Sequence, residues 1–92
     1  MYKREKADTR YLYETDVENL FINEYMPDAP SDYVKVYLLA LMYAQSGVDA
    51  SDREIAEVLR LDGSEIDAAW TYWEDVGAVS RDGGDIVFTS MR

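Results

Sequence analysis

The 92-residue chain has no cysteine and no histidine. Without cysteine it can form no disulfide and carries no thiol nucleophile, and a reducing cytoplasm is the compartment expected. Without histidine there is no imidazole base, no histidine-based triad and no histidine-containing zinc site. Proline and glycine are also scarce, two and five residues, so few positions interrupt regular structure. No apolar run approaches the roughly 18 residues of a membrane span. The longest, VYLLALMYA, covers Val36 to Ala44. The basic start is not followed by an apolar leader segment, so no signal peptide is expected.

Positive charge is scarce too. Nine Lys and Arg face nineteen Asp and Glu, for a net charge of −10. The balance is uneven along the chain. Residues 1–10 hold Lys3, Arg4, Lys6 and Arg10 against Glu5 and Asp8, which is 4 − 2 = +2 and leaves −12 on the other 82. Such a field repels nucleic acid and anionic membrane surfaces.

What is present is apolar and aromatic. Hydrophobic residues make up 48% of the chain, enough for one modest core in a domain of this size. Residues 1–10 are read as a mobile basic tail, and residues 11–92 as a single domain. Tyr11-Leu12-Tyr13 forms a short β-favouring run. Thr15-Asp-Val-Glu18 has the spacing of a capping box, and Val17, Leu20, Phe21 and Tyr25 follow on one helical face. Pro27 and Pro30 end that helix. Ser31 is the expected cap of a second helix, running to about Gln45 and closed by Gly47, that is apolar on nearly every side.

Ser51-Asp-Arg-Glu54 is a second capping box, with Ile55, Ala56 and Leu59 facing inward. Asp62-Gly63 supplies a turn, and Ser64 is the expected cap of the next helix, with Asp67 at its third position. That helix turns Ile66, Ala69, Trp70 and Trp73 inward and ends at Gly77. AVSRDGGDIVF then reads as two short strands around Asp82-Gly-Gly-Asp85. The expected fold class is mainly α with a small β-hairpin: a winged helix-turn-helix with an extra N-terminal helix and a short strand.

The chemistry of an enzyme is hard to assemble from these residues. Most carboxylates sit at helix starts, where capping and the helix dipole account for them. There is no phosphate-binding loop, and the Asp82–Asp85 turn lacks the spacing of a calcium loop. No catalytic residue, metal ligand or cofactor is expected. Duplex binding is disfavoured as well, because residues 51–92 carry four bases and ten acids. The helix in the groove-reading position shows Glu65, Asp67, Glu74 and Asp75 and none of the side chains that pair with purine edges. Lys3, Arg4 and Arg81 remain as candidate DNA contacts under the alternative of a DNA-binding regulator.

The eight tyrosines are too many for so small a core. Tyrosine is enriched where an apolar body meets a partner. Tyr11, Leu12, Tyr13, Tyr37, Tyr43 and Tyr72 are therefore candidate self-association residues, whereas Trp70 and Trp73 are expected in the core.

Three blocks carry a family resemblance. TDVENLFINEYMPDAPSDYVKVYLLAL, Thr15 to Leu41, resembles the N-terminal domain of the DnaD-like replication-initiation proteins, with FINEYMP and YVKVYL as its most specific phrases. Ser51 to Leu59 and WTYWEDVGAV, Trp70 to Val79, resemble two further blocks that would fit many winged helices. The resemblance implies a winged-helix module that forms dimers or tetramers and works with other primosome proteins in helicase loading. It assigns DNA binding largely to a separate C-terminal helical domain, which these 92 residues do not include. The chain is accordingly expected to be either part of a longer protein or a standalone relative.

Overall fold

A computed structural model describes residues 2–3 and 14–91. Tyr2–Lys3 form a strand, β1, and Phe21–Tyr25 a single π-helical turn. Three helices follow, α1 (Ser31–Ser46), α2 (Asp52–Leu59) and α3 (Gly63–Asp75), then the strands β2 (Val79–Asp82) and β3 (Asp85–Phe88). The protein is mainly helical with a small antiparallel hairpin. Strand order is β1-β3-β2, with β1 parallel to β3. Among the described residues no helix is long and apolar enough to cross a membrane.

The first helix is much shorter than Thr15 to Glu18 suggests. Residues 14–18 have no regular structure. The reason lies 29 residues further on, in α1. Gln45 is 2% exposed, and its carboxamide takes both backbone groups of Asp16. The Asp16 N–H donates to Oε1 at 2.8 Å, and Nε2 donates to the Asp16 carbonyl at 2.6 Å. Glu18 does not reach back to a cap; its Oε2 accepts from the Met91 N–H at 3.2 Å. Helix formation starts only at Asn19. It closes with the Met26 N–H on the Phe21 carbonyl at 2.9 Å, the five-residue step of a π-turn. Phe21 is buried, but Leu20, expected beside it, is 43% exposed.

In α1 the apolar residues divide between core and surface. Val36, Tyr37, Ala40, Leu41 and Ala44 are buried, while Leu38 and Met42, one turn apart, stay exposed. The cap of α1 is Pro30, not Ser31, which already belongs to the helix; a proline offers no side-chain acceptor, and its carbonyl accepts from the Val34 N–H at 3.2 Å. Gly47 ends it at φ 72°, letting the Val48 N–H reach the Tyr43 carbonyl.

Ser51 caps α2 through its Oγ, which accepts from the Glu54 N–H at 3.3 Å. The helix ends at Arg60, a non-glycine residue at φ 58°. Here the expected turn is misplaced. The cap of α3 is Asp62, not Ser64, and Gly63 and Ser64 already belong to the helix. Glu65, not Asp67, is the third-position carboxylate, accepting from the Asp62 N–H at 3.4 Å. Asp67 is thereby released for another role.

The core is an aromatic stack joining four elements, the π-turn, α1, α3 and β3. Phe21 lies flat on Tyr37 with centroids 4.0 Å apart. Trp73 tilts against both, at 5.3 and 5.1 Å, and Phe88 of β3 meets Tyr37 edge-on at 5.0 Å. Both indoles are satisfied. Trp73 Nε1 donates to the Tyr33 carbonyl at 2.8 Å and Trp70 Nε1 to Asp52 Oδ1 at 3.0 Å. Val79 to Asp82 pair with Phe88 to Asp85 across Gly83-Gly84, where Gly83 supplies the positive φ that a two-residue hairpin requires.

Candidate interaction face

The solvent side of α3 and the hairpin beside it form one continuous surface. Ile66, Ala69, Trp70 and Trp73 all face inward, at most 1% exposed. That leaves Glu65, Asp67, Thr71, Glu74 and Asp75 outside. Asp67, Thr71 and Glu74 are four and three residues apart, the spacing that aligns side chains along one helix face.

Arg81 of β2 is laid across that row. Its guanidinium donates to Asp67 Oδ1 at 3.3 Å, to the Asp67 carbonyl at 3.0 Å and to Thr71 Oγ1 at 3.0 Å. Glu74 Oε1 stands 3.9 Å from Nε. A residue expected at the wing tip as a DNA contact is instead bound to the outer face of the neighbouring helix. Its charge is matched by two carboxylates, so a phosphate would have to displace them. Beside the clamp is a cavity of about 160 Å³ lined by Asp52, Asp67, Trp70, Arg81, Gly83 and Gly84, together with Asp85 and Ile86. Among the described residues no group of three acids, histidines or cysteines is arranged to hold a metal ion.

The tyrosines separate by environment. Tyr37, expected on a contact surface, is 3% exposed. It belongs to the aromatic stack, so it offers no face to a partner. Burial, then the Glu18 carboxylate and the Tyr25 hydroxyl, push its phenol well above the usual tyrosine range. Tyr43 is half-buried against the core. Tyr72 is also half-buried, 5.6 Å from the Tyr33 ring and edge-on to Trp73 at 5.0 Å. Tyr11, Leu12, Tyr13 and Arg4 lie outside the described residues. Lys3 is one of the two residues of β1. A strand therefore lies inside the stretch read as a mobile tail.

Two features of the molecule escape a reading of the sequence. One is the Gln45 clamp, whose only sequence signal is a lone amide at the end of an otherwise apolar helix. The other is the convergence of Asp67, Thr71 and Glu74 on Arg81, which depends on how the hairpin folds back. Comparison with known proteins returns no matching family model, no matching curated protein and no matching solved structure.

Proposed function

We propose that the chain is a non-enzymatic protein-interaction and self-association module, acting in the cytoplasm as part of a DnaD-like replication-initiation protein in primosome assembly. The observation that carries the protein-binding part is the Arg81 clamp. The helix that a winged-helix regulator would insert into a groove shows carboxylates, and the nearest guanidinium is already bound to two of them. A face of this kind repels phosphates and suits a protein partner.

The order of α2, α3 and the β2–β3 hairpin supports the winged-helix reading of the fold. The primosome setting rests on the sequence blocks Thr15 to Leu41, Ser51 to Leu59 and Trp70 to Val79. The alternative of duplex contact through Lys3, Arg4 and Arg81 is weakened by the loss of Arg81 to α3. Sedimentation at tens of micromolar is expected to give a dimer or tetramer; a clean monomer there sinks the self-association. Titration with duplex DNA at low salt is expected to give no salt-sensitive binding, and binding that vanishes in a Lys3→Ala, Arg4→Ala, Arg81→Ala variant would restore the alternative.

A further inference from the structure

Among the described residues Gln45 is the one buried side chain that is neither aliphatic nor aromatic. An amide sealed from water is costly unless both its ends are paired. Here both ends are paired to the backbone of a single residue, Asp16. The side chain thus offers one donor and one acceptor to an extended stretch of chain, much as a facing strand residue would. It grips by the backbone, whatever side chain that stretch carries.

The gripped stretch has no regular structure of its own. Residues 14–18 form neither helix nor strand, and Asp16 itself is exposed. Val17 packs against the core, and Glu18 Oε2 accepts from the Met91 N–H. The next deep anchor is Phe21, 1% exposed and flat on Tyr37. Asn19 and Leu20, between strap and anchor, are both exposed. A stretch fastened through side chains, with little apolar area beneath it, opens more readily than the helix it lies on.

We propose that residues 14–18 are a latch that opens as a unit, hinging at Asn19 and Leu20, and that it couples Gln45 to the segment after β3 at Met91. Gln45 and Met91 share no hydrogen bond, so the strap is what joins them. Loss of the Gln45 grip carries Glu18 away from the Met91 N–H. Loss of the Glu18 contact loosens Asp16 in turn, since such coupling is reciprocal. The Phe21–Tyr37 stack and α1 keep their places while the latch is open.

Amide exchange on the whole chain, read residue by residue, tests this. In the unaltered protein the Asp16 and Met91 amides are expected to show protection within about threefold of each other, and at least about tenfold below that of Ala40 and Leu41. Gln45→Met keeps the length of the side chain and removes both hydrogen bonds. It is expected to lower protection at Asp16 and at Met91 by roughly tenfold, with Ala40 and Leu41 unaltered. Glu18→Ala is expected to lower protection at Asp16, which it does not touch through the lost carboxylate. A Met91 amide indifferent to Gln45→Met overturns the coupling. An Asp16 amide as protected as Ala40 in the unaltered protein overturns the separate opening. Should Gln45→Met fail to fold, Glu18→Ala decides: an unaltered Asp16 amide there overturns the coupling equally.

Discussion

The two sides of α3 lie within a helix diameter of each other and use opposite physics. On the inner side, Ile66, Ala69, Trp70 and Trp73 are sealed from water and both indole N–H groups have acceptors. On the outer side, Asp67, Thr71 and Glu74 hold Arg81 through contacts that remain open to solvent; the side chains are 74% exposed at Asp67 and 32% at Arg81. The inner side supplies stability through area and packing. The outer side supplies little stability, because exposed ion pairs are screened, but it fixes the hairpin and sets the sign of the surface. Core packing and surface charge are thus divided between the faces of one thirteen-residue helix.

That division is sharpest at Trp73. Trp73→Ala removes the ring that Phe21, Tyr37 and Tyr72 pack against and leaves a cavity, a loss expected at about 3–5 kcal/mol. Denaturant unfolding would measure it. A loss below about 1 kcal/mol would mean that the inner face does not carry the fold.

The same stack should respond to alkali. Tyr37 has a folded pKa raised above its ordinary value of 10.0, mainly by burial. The unfolded state therefore gives up the proton first. Its contribution is fully present below pH 10.0 and is lost as pH climbs towards the folded value. The expected slope is about 1.4 kcal/mol per pH unit above that point. Stability measured from pH 9 to 11 should show the fall, and Tyr37→Phe should flatten it. An unchanged slope in that variant would assign the alkaline loss elsewhere.

Trp70 sits where the two regions meet, its ring in the core and its N–H on the exposed Asp52. Trp70→Phe keeps an aromatic ring near Phe88 but drops the donor. The expected cost is about 1–2 kcal/mol, again by denaturant. The smallest effect is expected from Arg81→Ala, below about 1 kcal/mol because its partners are exposed. Amide exchange should nevertheless show β2 and β3 opening more often while α1 is unaltered. A destabilisation comparable with Trp73→Ala would erase the distinction between the faces.

The inward residues of α3 were legible because helical spacing alone decides which side chains cluster, and two tryptophans leave little choice of core. The hairpin was legible because Gly83-Gly84 between short β-favouring runs has few other uses. The N-terminal helix was not. Thr15 to Glu18 has the local signature of a cap, but Gln45 binds the Asp16 backbone from another helix and overrides it. Tyr37 was misjudged for a related reason. Its helix is apolar on all sides, so periodicity could not say which face would meet Phe21 and Trp73. The Arg81 clamp depends on contacts between separate elements, which no single stretch of sequence encodes.

Arg60, not Gly63, is the left-handed residue between α2 and α3. The chain reverses between α2 and α3 at a residue with a Cβ, held at φ 58° while the Leu61 N–H closes on the Ala56 carbonyl at 3.0 Å. Such a conformation costs an ordinary side chain roughly 1–2 kcal/mol. The angle between the two helices is therefore held by their packing against the core, not chosen by the linker. If that packing loosened, the corner would be among the first places to relax, and α3 would move with its acidic face and the hairpin attached.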